Sequence, residues 1–173
     1  MRRLSLLGAV TLVAVSTLLV AQPPSTASAM EGYEPLPAPR RLVDTRAGQS
    51  TVDGGFAGIG VRPPGSTLAV DVSGRAGLGA EPGSVVLNLT VDQPGGAGFL
   101  TLWPCDQPRP TASNLNYVAG QTVAVAALSR VAPDGTVCVY TLAPTHLVID
   151  VAGAFPSGSF GALAAPERLV DTR

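Results

Sequence analysis

Few side chains in this sequence are suited to acid–base or nucleophilic chemistry. His146 is the single histidine of the chain, and Asp150 follows it four residues later. On a strand this spacing puts both side chains on one face but about 13 Å apart, too far for a hydrogen bond. No Gly-x-Ser-x-Gly elbow accompanies the histidine. A hydrolase of carbohydrate or peptide substrates would need a nucleophile beside His146, or two carboxylates about 5 to 10 Å apart, and it is kept as an alternative function.

Signatures of metal and phosphate binding are also missing from the sequence. There is no His-Glu-x-x-His motif, no EF-hand loop and no glycine-rich phosphate cradle, although the chain contains 20 glycines. We therefore expect no metal site, no cofactor and no enzymatic activity.

Five polar or aromatic residues are candidate ligand contacts, and each has a structural alternative. Asp44 and Arg46 lie two apart on one strand face and could hold a carboxylate or a sugar hydroxyl, or instead anchor the adjoining loop. Asn114 and Asn116 could line a polar groove for glycan hydroxyls, or form hydrogen bonds within a loop. Trp103 could offer a stacking platform for a sugar ring, or pack in the core beside a disulfide.

The N-terminus indicates export. A positive start at Met1-Arg2-Arg3 precedes an apolar run from Leu4 to Ala21, and Ala27-Ser28-Ala29 supplies small residues at a cleavage site. This pattern predicts a signal peptide at 1–29 that is cleaved between Ala29 and Met30, with a membrane anchor as the alternative. We expect a secreted protein, with cell-surface association left open, and no membrane insertion after signal removal.

After removal of the predicted signal peptide, the length of the chain indicates the number of domains and its charge indicates which partners are expected. Residues 30–173 number 144, enough for one domain with a substantial core. They contain nine arginines, twelve acidic residues and no lysine, a net charge near −3. Nucleic acid is therefore not an expected partner.

The two cysteines of the chain, Cys105 and Cys138, both lie in the exported part. We predict that they form a disulfide, since export leads to an oxidising compartment. The alternative, a thiolate nucleophile or metal ligand, lacks nearby His or Cys companions.

Alternating apolar residues predict an all-β fold. Residues 30–40 carry three alternating prolines and are expected to form an extended, unpaired leader before a single β domain at 41–173. Strands are predicted at 41–46, 67–72, 85–92, 99–103, 113–118, 122–131, 137–141 and 146–151. About eight short strands without a helical window favour an antiparallel β-sandwich or a jelly-roll-like barrel.

Two local features refine this prediction. Pro133-Asp134-Gly135 has the residues of a tight reversal and predicts a hairpin that joins the strands on either side. Ala126-Ala127, inside an otherwise regular strand pattern, predicts an irregularity.

The hexapeptide Arg-Leu-Val-Asp-Thr-Arg occurs twice, at 41–46 (the first copy) and at 168–173 (the second copy), 127 residues apart. In the first copy Leu42, Asp44 and Arg46 are predicted to share one face of a strand. The second copy could complete a sheet as a last strand beside the first, or it could be the opening motif of an interrupted further unit.

Six segments carry a further signal: Arg41–Arg46, Gly98–Leu102, Pro104-Cys105, Ser113–Asn116, Val137–Tyr140 and His146–Gly153. Together they resemble a repeat module of large secreted actinobacterial proteins. The resemblance implies a module that occurs singly, in tandem or beside catalytic domains, usually with no assigned activity.

We therefore expect a secreted, non-catalytic β module for binding or adhesion, with a cell-wall polysaccharide, another external glycan or a surface protein as partner. A purely structural unit that self-associates through edge strands is a further alternative.

Overall fold

The computed structural model describes residues 32–161, 163 and 168–172, all of them in strands, turns or irregular segments. The predicted signal peptide at 1–29 and its cleavage site between Ala29 and Met30 lie outside these residues. In the described part of the chain, no helix is long and apolar enough to cross a membrane.

Eight strands form two four-stranded sheets. The strands are β1 (Glu34–Asp44), β2 (Ser66–Asp71), β3 (Pro82–Asp92), β4 (Gly98–Pro104), β5 (Leu115–Tyr117), β6 (Val123–Arg130), β7 (Thr136–Thr141) and β8 (His146–Pro156). Sheet 1 has the order β1-β8-β3-β6, and sheet 2 has the order β2-β7-β4-β5. All neighbouring strands are antiparallel. The predicted antiparallel β-sandwich of about eight strands is confirmed.

The core lies between the sheets and follows the period-two pattern of the sequence. In sheet 1 the inward positions are Val85, Leu87, Leu89 and Val91 of β3 with Leu147, Ile149 and Val151 of β8, and all are buried. Val70, Leu100, Leu102, Val137 and Val139 face them from sheet 2. Burial of each such side chain stabilises the fold by about 1.5 to 3 kcal/mol.

The proline-rich segment is part of the sheet, so the expectation that it is unpaired is wrong. β1 begins at Glu34 and pairs with β8, with Pro35 opposite Gly153. Proline is tolerated because β1 is an edge strand, whose outward N–H groups need no ladder partner. The close approach also depends on glycine, since a Cβ atom at Gly153 would collide with the Glu34 carbonyl oxygen.

The turn at Pro133-Asp134-Gly135 forms as predicted, but it does not make a hairpin. The Gly135 N–H donates to the Ala132 carbonyl oxygen at 2.8 Å, and Gly135 has a φ of 86°. However, β6 before the turn belongs to sheet 1 and β7 after it belongs to sheet 2. The turn therefore carries the chain from one sheet to the other.

The irregularity predicted at Ala126-Ala127 is also wrong, because β6 pairs with β3 without any shift of register. A shift occurs instead on the other side of β3, between Val86 and Leu87 in the pairing with β8.

The second copy of the hexapeptide does not pair with the first. Residues 168–172 lie outside the strands, so the expectation of a last strand beside β1 is wrong for them. The loop after β1 covers its free edge instead: the Val52 N–H donates to the Arg41 carbonyl at 3.0 Å, and the Gly58 N–H to the Asp44 carbonyl at 2.8 Å.

Candidate functional site

Ionic side chains gather on the outer face of sheet 1, where the first copy meets β8 and β3. We call Arg41, Asp44, Arg46, Asp92 and Asp150 the charge cluster. Arg41 contacts the Asp44 carboxylate at 2.8 Å and that of Asp150 at 2.9 Å. Arg46 contacts Asp44 at 2.8 Å and Asp92 at 3.5 Å. The cluster thus ties the end of β1 to the two central strands of its sheet.

Asp44 is the centre of this cluster. Its side chain has no exposed surface, while the side chains of Arg41 and Arg46 are about one-third exposed, at 35% and 36%. Hydrogen bonds from Arg46, supported by the charge of Arg41, hold the pKa of the Asp44 carboxyl below its ordinary value against the effect of burial. The same contact raises the pKa of the Arg46 guanidinium.

These contacts favour the anchoring role for Asp44 and Arg46 over ligand contact. One Asp44 oxygen accepts both the backbone N–H and Nε of Arg46, and the other accepts from Arg41 and Arg46. A ligand would have to displace an internal ion pair to reach the carboxylate.

His146 lies beside this cluster and contacts Thr45. The Nδ1 atom of His146 is 3.0 Å from the Thr45 hydroxyl oxygen, which also accepts the Leu147 N–H at 3.0 Å. A hydroxyl beside an imidazole resembles a nucleophile with its base. Thr45 is fully buried, however, and the backbone bond fixes its oxygen inside the fold. This arrangement ties the first copy to β8.

Two acidic residues could act together with His146: Asp150, the nearest in sequence, and Asp92, on the neighbouring strand. Both carboxylates are engaged by other side chains. Asp150 is paired with Arg41. Asp92 is directly opposite His146 in the β3–β8 pairing, and its carboxylate accepts the Thr122 hydroxyl at 2.5 Å and contacts Arg46.

Trp103 is on the outer face of sheet 2 but is only 5% exposed. It lies opposite Cys138, and its Nε1–H donates to the Gln107 carbonyl at 2.9 Å. The predicted disulfide between Cys105 and Cys138 is present, with a Cα–Cα distance of 5.0 Å. The loop that begins at Cys105 therefore covers the indole, and the geometry favours packing over a stacking platform.

The two asparagines have different environments. Asn114 extends the β4 ladder: its side-chain oxygen accepts the Leu102 N–H at 2.8 Å, and its N–H donates to the Leu100 carbonyl at 2.9 Å. Asn116 is exposed, and its side-chain oxygen accepts the Ser113 hydroxyl at 3.1 Å. Of the five candidate ligand contacts, Asp44 and Trp103 are buried, Arg46 and Asn114 are half-buried, and Asn116 is exposed.

Asn116 lies in a cleft between sheet 2 and the loop that follows the disulfide. This loop cleft has a volume of about 390 Å³. Its main lining side chains are Phe99, Arg109, Thr111, Ser113, Asn116 and Arg168. Arg168, from the second copy, reaches the Thr111 carbonyl at 3.5 Å.

An aromatic pair forms one side of this region. The rings of Phe99 and Tyr140 are tilted, with centroids 5.7 Å apart, and the Arg109 guanidinium stacks 3.8 Å from the Tyr140 centroid. Stacking of a cation on an aromatic face fixes an otherwise mobile side chain and leaves its N–H groups directed sideways.

Sequence reasoning missed Arg109 and Tyr140 as site residues; it placed Phe99 on the strand face of Trp103, as part of the candidate stacking platform, but not among the ligand contacts. The period-two pattern places Phe99 and Tyr140 on outer faces of neighbouring strands, but it gives no signal for Arg109, which a long loop brings over the sheet.

A larger cleft, of about 510 Å³, lies at an end of the sandwich between the 130–135 turn and residues 157–161. Its charged lining residues are Glu81 and Arg130, and Arg130 is already paired with Asp106 at 2.6 Å. The larger cleft also has an aromatic ring and hydroxyls, from Phe160, Ser73 and Ser157. The loop cleft adds a side-chain amide and an arginine that is stacked on an aromatic ring, so we regard it as the candidate site.

Within the described ranges, no group of three or more His, Cys, Asp or Glu side chains is arranged to hold a metal ion. Comparison with protein-family models, with curated proteins and with solved structures gives no significant match.

Proposed function

We propose that this protein is an exported, non-catalytic β module that binds a cell-wall polysaccharide or another external glycan through the loop cleft. The observation that carries the proposal is the convergence of an aromatic ring, an amide and a hydroxyl at one open surface. Sugars present apolar ring faces and hydroxyl groups, so Phe99 can stack while Asn116 and Ser113 exchange hydrogen bonds.

Rigid support of the cleft is consistent with a binding role. The disulfide fixes the start of the loop, Trp103 packs beneath it, and Arg109 stacks on Tyr140. A preorganised site loses less conformational entropy when a ligand binds.

Export and a non-catalytic role have separate support. The N-terminal pattern and the disulfide suit an oxidising compartment, and the resemblance to secreted actinobacterial modules points in the same direction. The single histidine contacts a buried threonine, and the carboxylates around it are engaged by arginine or threonine side chains.

Co-sedimentation tests the proposal. The chain, purified after export, is mixed with insoluble cell-wall polysaccharide over a salt series, and the bound fraction is measured. We expect binding that survives salt and falls at least tenfold in affinity in Phe99→Ala and Asn116→Ala.

Two substitutions of the same chemical type provide controls away from the cleft. Phe160→Ala removes another partly exposed ring, and Asn88→Ala removes an amide on the outer face of sheet 1. Melting temperatures of all four variants establish that they are folded. Absence of binding by the folded wild type, or equal loss in the control variants, would overturn the proposal.

A further inference from the structure

β6 is an edge strand, and among the described residues its outer side has no paired strand. It ends sheet 1, opposite to β1, and its eight residues pair with β3 in an unbroken register. In an antiparallel pair, every second residue directs its N–H and C=O away from the partner strand. In the described chain, no backbone hydrogen bond other than those to β3 reaches residues 123–129. The unpaired N–H and C=O groups of such an edge can form a ladder with another strand.

The other three sheet edges are shorter or protected. β1 carries three prolines, and the loop after it donates hydrogen bonds to its free edge. β5 has three residues. β2 has six residues, and the Arg75 guanidinium donates to the carbonyl of its last residue, Asp71, at 2.8 Å. β6 lacks such protection, since it contains no proline and no charge before Arg130.

The side chains of β6 are incompletely covered on both faces. Val123, Val125 and Ala127 point toward the core but are only partly buried. On the outer face Ala124 and Ala126 are exposed. An additional strand beside β6 would bury apolar surface on both faces of the sheet.

We propose that β6 pairs antiparallel with β6 of a second copy of this chain, around a two-fold axis at Ala126. Sheet 1 of one copy and sheet 1 of the other then form one continuous eight-stranded sheet. In this register larger side chains lie opposite smaller ones: Leu128 opposite Ala124, and Val125 opposite Ala127. The edge is therefore complementary to itself, as a two-fold interface requires.

The charged side chains at the ends of β6 do not oppose this pairing. Arg130 of each copy comes opposite Thr122 of the other copy, and its guanidinium is already paired with Asp106 of its own chain at 2.6 Å. The Asp92 carboxylate, which accepts the Thr122 hydroxyl, is likewise engaged by Arg46. The two Arg130 side chains lie at opposite ends of the paired strands, so like charges do not meet.

Cysteine cross-linking tests the register in the full exported chain. In Ala126→Cys the two Cα atoms would be about 4.5 to 5.5 Å apart across the axis, a separation that a disulfide spans. In Ala124→Cys the equivalent atoms would be about 13 Å apart, because position 124 faces position 128. We expect a covalent dimer of Ala126→Cys on a non-reducing gel, at least tenfold more than with Ala124→Cys. Equal cross-linking of both variants, or none in Ala126→Cys, would overturn the proposal.

Charge exchange tests the interface without covalent chemistry. Ala126 is exposed in the single chain, so Ala126→Lys and Ala126→Glu should both fold, which a wild-type circular dichroism spectrum and a cooperative thermal transition verify. Each variant alone should dissociate at least tenfold more readily than the wild type in sedimentation velocity, because like charges meet on the axis. An equimolar mixture of the two should restore the dimer. A wild type that remains monomeric at millimolar concentration, or variants that dimerise as well as the wild type, would contradict the proposal.

Discussion

The two copies of the hexapeptide have one sequence and opposite environments. In the first copy Leu42 and Val43 are completely buried, whereas Leu169 and Val170 of the second copy are 92% and 76% exposed. The first copy ends β1 and contacts β8 and β3, while residues 168–172 lie outside the strands. Identical residues therefore take part in the core in one place and face solvent in the other.

One interaction is common to both copies. Arg41 pairs with Asp44 at 2.8 Å, and Arg168 pairs with Asp171 at 2.6 Å, each three residues apart. This ion pair is a local property of the hexapeptide. The contacts to Asp150, Asp92 and His146 are not local, because these residues belong to β8 and β3. The comparison shows that the hexapeptide acquires its structural role from the strands beside it.

The largest expected difference concerns the apolar residues. Leu42→Ala should lower the free energy of unfolding by about 3 kcal/mol, since a fully buried leucine leaves a cavity between the sheets. Leu169→Ala, the same change in the second copy, should alter it by less than about 0.5 kcal/mol. Urea unfolding of both variants measures this difference. Similar losses of unfolding free energy in the two variants would contradict the comparison.

The next difference concerns the carboxylate. Asp44→Ala should cost about 2 kcal/mol, less than a fully buried ion pair would, because its arginine partners remain partly solvated. Asp171→Ala removes the carboxylate of an exposed pair and should cost less than about 0.5 kcal/mol. Thermal unfolding of the two variants checks this, and a stable Asp44→Ala protein would show that the charge cluster does not anchor β1.

A smaller effect is expected at the threonine. Thr45→Val keeps the shape but leaves the buried Leu147 N–H without its acceptor, which should cost about 1 to 2 kcal/mol. In contrast, Thr172 is exposed, and Thr172→Val should have no measurable effect. If both variants unfold at the wild-type denaturant concentration, the Thr45 hydroxyl does not hold β1 to β8.

The last prediction uses pH. The folded-state pKa of Asp44 is below its ordinary value of 3.8, so its ionised form stabilises the fold at neutral pH. This contribution is lost as the pH falls below about 4 toward the folded-state pKa. The difference in the free energy of unfolding between wild type and Asp44→Asn should therefore shrink on acidification. Asp53, whose pKa is lowered to about 2 by Arg75, also loses its charge at low pH, but it is present in both proteins and does not change their difference. Urea unfolding between pH 7 and pH 2 tests this, and a constant difference would contradict it.

The architecture was largely predictable because it depends on local alternation. Val85, Leu87, Leu89 and Val91 occupy every second position, and this pattern defines both the strand and its buried face. The disulfide was also predictable, since the sequence offers a single pairing.

Features that depend on distant strands were not predictable from the pattern. The Pro-Asp-Gly turn is evident from three residues, but whether it joins paired strands depends on which sheet receives β7. Likewise, alternation in the first copy predicts one buried face, whereas a register shift between Arg41 and Val43 allows Leu42 and Val43 both to be buried.

Only one residue of the candidate site, Asn116, was predicted as a ligand contact, because the other contacts depend on distant parts of the chain. Asn116 was found because asparagine is uncommon in strands, while the residues around it come together through the fold. Arg109 reaches Tyr140 across 31 positions of sequence, and no local pattern indicates that contact.

Hydrogen exchange of backbone amides tests the central claim most directly, because it observes both copies in one molecule under one condition. We expect the amides of Val43, Thr45 and Leu147 to exchange only through global unfolding, and those of Leu169 to Thr172 to exchange at least a thousandfold faster. Similar protection of the two copies would contradict the account, since it would mean that the hexapeptide forms its structure without β8 and β3.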